Sequence, residues 1–408
     1  MKQHPSWRVL FPVGFGTALS LIGDASMYTV LPTHTAVVGV TLASVGILLS
    51  INRWVRLGAN GVAGWLSDRA SKRIVFIAAL FLGALSTAVY GFNLGFWPLF
   101  MGRLLWGIAW AGIWVAGNGL VLDAAPKKER GKWVGNYHVS FFLGGGMGAL
   151  IGGVLTDWLG YHSAMFVAAA ISFIGAIVAL LFVPHVEQNN EVEIIDSYGI
   201  SEPTRWRELI AATAVLGINR LVIAGIFYAT ISIYLLEVVG ESVEINAHVV
   251  GIATVAGVVV GLRTLLSMIL TPLIGWVSDK YENRWHIVAN GILPGIVGFI
   301  LLAINVPYAL LFGLPLTSIT ASSNQSMSTA LIGDLGSGRR NGRFLGVLYT
   351  VGDLGSAIGP MVAFFLLPDW GMTSLYWVSV LLFSLLLLVA VYSLKVSKKS
   401  RRMSLKNS

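Results

Sequence analysis

The sequence predicts an all-α membrane protein whose twelve spanning helices form two similar six-helix halves. Three observations point there: an excess of apolar residues, a run of apolar stretches of bilayer length, and a repeat at one fixed offset. Of the 408 residues, 56% are hydrophobic and 11% charged, and mean hydropathy is +0.77. Soluble domains are about a quarter charged, so the surplus apolar surface must face lipid. A formal charge of +8 would suggest nucleic acid in a soluble protein. Here the basic residues are explained by membrane topology, so the expected partners are the lipid bilayer and no nucleic acid. Cysteine is absent, which excludes disulfides, thiolate metal sites and cysteine nucleophiles.

Helices that cross a bilayer need about 17 to 25 apolar residues. In the first half they fall at 9–31, 38–62, 74–93, 98–122, 132–156 and 163–183. In the second they fall at 208–236, 246–272, 286–304, 307–331, 343–367 and 372–394. The first stretch begins like a secretory signal, with Lys2 and Arg8, but it runs on without a small-residue cleavage site and reads as a retained span. Spanning strands would be about 9 to 11 residues long with period-two alternation, and no such pattern occurs.

Lys and Arg gather on cytoplasmic loops. Of the 27, 22 lie at the N-terminus, around Arg69, Lys128, Arg205, Lys280 and Arg340, and in the tail. The alternate loops carry acidic residues instead, at Asp157, Glu237, Glu241, Glu244 and Asp369. Both termini are therefore expected in the cytoplasm, in a multi-pass protein of the inner membrane. The polar stretch 184–207 reads as a cytoplasmic linker between bundles 1–183 and 208–394, and 395–408 as a basic cytoplasmic tail.

The halves match without a gap at an offset of 211 residues. Gly64, Trp65, Ser67 and Asp68 recur as Gly275, Trp276, Ser278 and Asp279, and Asp123 recurs as Asp334. Gly144 and Gly148 recur as Gly355 and Gly359. Polar matches at one ungapped offset indicate a duplicated six-helix unit rather than chance likeness of glycine-rich helices.

Gly64-Trp-Leu-Ser-Asp68-Arg69-Ala-Ser-Lys72-Arg73 resembles the loop between spans two and three of the major facilitator superfamily, with Ser71 where a glycine is usual. Gly275 to Lys280 with Arg284 resembles its second-half copy, and Arg103 with Gly107 the intramembrane arginine motif of span four. Gly135, Gly144, Gly148, Gly152 and Gly153 follow the span-five glycine motif of the proton-coupled antiporters, with Ala149 in place of its proline. That proline stands in the second half, as Gly355, Gly359 and Pro360. The resemblance implies parallel six-span repeats with a solute site between them near the midplane. It also implies secondary active transport of a small solute by a chain working as a monomer, with a proton gradient and no bound cofactor. Antiport is the favoured direction, with uptake by symport or uniport the alternative. Gly64, Asp68, Arg69, Arg73, Gly275 and Asp279 would latch the inner face during the cycle. Gly144, Gly148 and Gly152, four residues apart, would bare one helix face for close approach, as would Gly355, Gly359 and Pro360.

Seven ionisable groups lie inside spans: Asp24, Arg53, Arg56, Arg103, Arg220, Arg263 and Asp353. Each is costly there unless it meets water or a partner. At ~1.5 Å per residue, Asp24 sits ~22 Å from the inner end of span one and Arg103 ~8 Å from the outer end of span four. Across a core of about 30 Å those depths coincide. In relatives such a carboxylate takes up the coupled proton, so Asp24 and Arg103 are the first coupling candidates and Asp353 the next. Arg220 or Arg53 could neutralise Asp353, and Arg56 could snorkel to the interface. The surplus of cations favours a polar or anionic solute. Arg220, Arg263, Asn52, Arg53, Trp110, Asn118, Asn324 and Gln325 are the cavity candidates. Span ten supports this with hydroxyls and amides from Thr317 to Thr329 that lipid would not tolerate. His138 in span five reads as a packing residue.

An intramembrane enzyme would need a nucleophile with its base or a metal cluster, and the seven histidines are scattered. A non-transporting receptor of the same fold would need a signalling domain, which the linker and tail are too short to supply.

Overall fold

The computed structural model describes residues 6–92, 95–126, 129–184, 206–245, 248–278, 280, 283–335 and 339–407. Helix α1 (Ser6–Val30) runs through Pro12 and gives way to a 3₁₀ turn at Leu31–Thr33 and the one-turn α2 (Thr35–Val38). In α3 (Leu42–Arg69) the Thr41 hydroxyl caps the start by accepting from the Ser44 N–H. The Gly64-to-Arg69 motif is thus helical, and not the loop expected from a span ending at 62. With no proline to stop it, α3 runs through Asn60-Gly61 and Gly64 and ends only at Arg69. Ser71 then serves as the N-terminal boundary of α4 (Lys72–Gly91), its carbonyl accepting from Ile74 and Val75.

After α5 (Phe96–Ala124) comes α6 (Arg130–Phe182), 53 residues with a break at Gly160, where φ is 78° and ψ 162°. A straight helix of that length would extend about 80 Å, far beyond a bilayer core. Gly160 folds it back because that backbone region is closed to residues with a Cβ. Gly371, at φ 71° and ψ 171°, does the same in α12 (Arg339–Asn407). Among the described residues, eight helices are long and apolar enough to cross a membrane, against the twelve expected. Two of them, Lys132–Phe182 and Phe344–Ser397, are these folded helices. Both α3 and α11 (Pro307–Leu335) have the length but are less apolar. The first carries Arg53, Arg56, Asp68 and Arg69, the second the hydroxyl row.

Span seven is not one regular helix. Between α7 (Trp206–Asn219) and α8 (Tyr228–Val239) lies a π-helical stretch, Arg220–Phe227. Span eight starts later than expected. Strands β1 (Ser242–Ile245) and β2 (His248–Gly251) pair antiparallel, Ser242 opposite Gly251 and Ile245 opposite His248, and only then does α9 (Ile252–Ser278) begin. The β-branched Val243, Ile245, Val249 and Val250 suit a pleated pair better than the first turns of a helix. Helix α10 (Trp285–Ala303) precedes α11.

Two compact units result, Met1–Val192 with Tyr228–Leu265, and Glu193–Phe227 with Leu266–Ser408. In the first, α1 lies along α6, and α5 packs on α3 and α4. In the second, α10 lies against α11 and α12, and α7 with its π continuation lies against α12. Most of the linker expected at 184–207 falls outside the described residues.

Because Gly160 and Gly371 hold conformations closed to L side chains, replacing either by alanine should lower stability by about 1–3 kcal/mol. Thermal unfolding of the purified chain in detergent measures this, and alanine tolerated at both positions would contradict the turn geometry.

Candidate functional site

Arg103 is fully buried in α5, and its guanidinium is satisfied from three other helices. It donates through NH1 to Asp24 Oδ1 of α1 at 2.5 Å and through Nε to the Leu48 carbonyl of α3 at 2.9 Å. It lies over the ring of Tyr28 of α1, 5.5 Å from the centroid, and that of Tyr90 of α4, 5.9 Å away. Tyr28 is itself fixed by donating to the Leu49 carbonyl at 2.9 Å. A charge-assisted pair with each guanidinium nitrogen engaged, NH2 by the Tyr28 hydroxyl at 3.5 Å, is the form in which a buried guanidinium is tolerated. The Asp24 side chain keeps 17% exposure, whereas that of Arg103 has none. Two cavity candidates join this cluster. Asn52 Nδ2 donates to Asp24 Oδ1 at 3.5 Å, and the Arg53 guanidinium lies over the Tyr28 ring, 5.1 Å from its centroid.

The glycine faces meet backbone directly. A Cβ on Gly144 would come within 2.6 Å of Ala18 Cα, and one on Gly148 within 2.8 Å of Ile22 Cα. One on Gly152 would overlap Ser26, whose hydroxyl donates to the Gly148 carbonyl at 3.2 Å. The second unit repeats the arrangement, Gly355 against the Gly217 carbonyl and Gly359 against Gly225 of the π stretch. Pro360 follows, buried in α12. Only hydrogen side chains let two helix axes come this close.

At the basic loops, the acidic partner is supplied by another helix. Lys72 pairs with Asp123 of α5 at 2.6 Å, and Arg73 donates to the Leu180 and Val183 carbonyls at the end of α6, both at 2.7 Å. The second half keeps the pairing with the cation moved by one residue: Arg284, the counterpart of Arg73, takes Asp334 at 2.9 Å, because Asn283 stands at the counterpart of Lys72. Asp68 is exposed and Arg69 stacks over Trp65, 4.3 Å from its centroid. Nothing lies within 4 Å of a Cβ on Gly64, and Gly275 has only the Ser326 hydroxyl, at 3.7 Å. Asp279 lies outside the described residues.

The other candidates are dispersed. Arg263 is buried over the Tyr228 ring at 4.5 Å. Arg220 is half-buried, its Cγ 3.6 Å from where a Gly352 Cβ would stand, beside Asp353. Trp110 is buried in a stack between Trp106 and Trp114, with Trp114 continuing onto His138 at 4.9 Å. Asn118 donates to the Trp114 carbonyl. Asn324 is fully buried and its amide makes no hydrogen bond among the described residues, whereas Gln325 is half-buried. Part of the hydroxyl row of α11 serves helix packing: Thr320 donates to Gly291 O and Ser323 to Ile287 O of α10. Among the described residues no cluster of His, Asp or Glu is suited to a metal.

Sequence reasoning passed over Tyr28 and Tyr90. Tyr28 had a readable signal, one turn beyond Asp24 on the same face. Tyr90 had none, being brought in by the packing of α4 on α5.

Membrane-length helices that hold an ion pair inside their spans define a polytopic membrane protein. Residues 13–262 and 221–406 match the family described as Major Facilitator Superfamily, and the chain belongs to it. Members of that family bind small-molecule solutes within the membrane. The chain is 22% identical to the multidrug resistance protein MdtG of Proteus mirabilis, over 92% of this chain and 93% of that protein. It is 28% identical to the class E tetracycline resistance protein of Escherichia coli, over 79% and 78%. A bacterial homologue of the human lysosomal transporter Spinster, solved in an inward-facing and occupied conformation, has the same fold. That comparison gives a TM-score of 0.77 at 16% identity, covering 98% of each chain.

Removing one partner of the ion pair should hurt more than removing both. Arg103→Met alone should cost about 3–5 kcal/mol, and adding Asp24→Asn should recover roughly half of it. Detergent unfolding of the two single variants and the double gives the coupling, and strictly additive losses would show the pair to be unimportant to the fold.

Proposed function

We propose that the chain is a proton-coupled antiporter that exports a small polar or anionic solute by alternating access. The observation that carries this is the pairing of Asp24 with Arg103 inside the spans. While Asp24 is ionised, the pair ties α1 to α5, and through Leu48 the tie extends to α3. Protonating Asp24 removes its side of the attraction and leaves Arg103 to engage Tyr28, Leu48 and incoming groups. The two conformations then differ in proton affinity, the condition under which a pH gradient biases the cycle. Relatives named for multidrug and tetracycline resistance support export. The surplus of intramembrane arginine over aspartate supports a polar or anionic solute.

The energy source in this reading is the proton gradient, with no bound cofactor. The working unit is a monomer of two six-helix bundles, 1–183 and 208–394, joined by the 184–207 linker. It lies in the inner membrane with both termini, and hence the basic loops, in the cytoplasm.

Asp24→Asn should still bind solute and exchange it across proteoliposomes but lose its response to an imposed pH gradient. Continued accumulation with normal pH dependence would move the proton site elsewhere, to Asp353 first. Replacing Gly148 by leucine should slow turnover at least tenfold, since α1 blocks the new side chain. Unchanged turnover in correctly folded Gly148→Leu would show that face to be idle.

A further inference from the structure

Helix α9 begins without a cap of its own. The residue before its first turn is Gly251, where Ser, Thr, Asp or Asn would normally accept a hydrogen bond from the second or third helical N–H. That acceptor comes from another helix. Asp157, at the end of the first arm of α6, accepts from the Thr254 N–H through Oδ2 at 2.7 Å, while the Ile252 N–H donates to the Glu241 carbonyl at 3.0 Å. A Cβ on Gly251 would fall on the Asp157 carboxylate, within 2.6 Å of Oδ2, so the absent side chain is what admits it. The partial positive charge of a helix N-terminus adds to the attraction.

Below this cap the two helices touch through backbone. A Cβ on Gly153 would overlap the Ala253 carbonyl, and one on Gly257 would lie 3.0 Å from Leu150 Cα. Gly146 would meet Thr264 at 3.3 Å, and Gly261 the Gly146 carbonyl at 3.3 Å. Backbone contacts of this kind interlock little and resist separation weakly, so what holds the end of the seam matters more than in an ordinary helix pair. Asp157 lies at that end and is exposed to solvent. His34 faces the same carboxylate from the turn after α1; burial holds it below the ordinary histidine range, against the opposing pull of the Val30 carbonyl and Asp157.

We propose that Asp157 is a detachable cap, closing the α6–α9 seam at the face opposite the basic loops and releasing α9 when that face opens. This rests on the reading of the chain as an alternating-access carrier with its basic loops in the cytoplasm. Loss of the cap leaves the Thr254 N–H to water and the seam without its end contact, which shifts the resting distribution toward the open face.

Absence of native cysteine makes the test free of background. Cysteine is introduced at Ala253, which is 0% exposed, in whole cells expressing the full chain, and a membrane-impermeant maleimide is added outside. Removing the cap with Asp157→Ala should raise the labelling rate about fivefold, the size of effect expected from a lost helix cap. Gly251→Ala should do the same by evicting the carboxylate. Asp157→Asn, whose amide oxygen still accepts, should stay near the parent rate. Unchanged labelling in both alanine variants would overturn the cap, and so would an equal rise in Asp157→Asn. A separate cysteine at Trp158, 81% exposed, reports orientation: labelling there only from the cytoplasmic side would overturn the topology and leave the cap's geometry standing. Monodisperse elution of each variant in detergent separates release of the seam from misfolding.

Discussion

A guanidinium keeps its proton in any environment a protein offers, so Arg103 has to be answered by its surroundings and cannot escape by neutralising. Buried in the first unit, it draws on Asp24, the Leu48 carbonyl and the faces of Tyr28 and Tyr90, contributed by α1, α3 and α4. Four helices are thereby held in one register by one side chain. A fixed cation also means that the carboxylate is the member of the pair able to change charge. The proposed antiport cycle rests on that asymmetry.

Close backbone contact is the second constraint, and it answers a problem peculiar to membranes. Lipid gives helices no hydrophobic reason to associate, so contact area and small-residue crossings have to supply the attraction. Among the described residues such crossings include α1 on α6, α5 on α3, α10 on α11, the span-seven helix on α12, and α6 on α9. A crossing made of glycine backbone has few side chains to unthread, but some also carry hydroxyl bonds that must break before the helices part, Ser26 to the Gly148 carbonyl between α1 and α6, and Thr320 and Ser323 to α10 from α11.

Asp24 and Arg103 could be matched from sequence because helical rise converts position into depth, and both lie in regular helices. The four-residue spacing of Gly144, Gly148 and Gly152 was readable for the same reason. Where the regular rise fails, the reading fails too. The π stretch at Arg220 has no compositional mark, since a wide turn needs no special residue. The hairpin before α9 was absorbed into a span because its valines are as apolar as a membrane helix. Asn52 looked like a cavity residue by position, and its neighbour Asp24 comes from a helix whose facing could not be read. The cap on Thr254 joins residues 97 positions apart, and Gly251, which permits it, gave no sign of its use.

Gly160 joins the arms of α6 through a single residue, leaving almost no slack between them. Each arm is gripped at a different end: the first by Asp157 on α9, the second by Arg73 on the Leu180 and Val183 carbonyls. The folded helix is consequently a yoke. A tilt imposed at one membrane surface is carried through the stiff bend and down the second arm to the opposite surface, some 30 Å away, with no chain of side-chain rearrangements in between. Adding residues at the bend would slacken the yoke and let each surface move on its own.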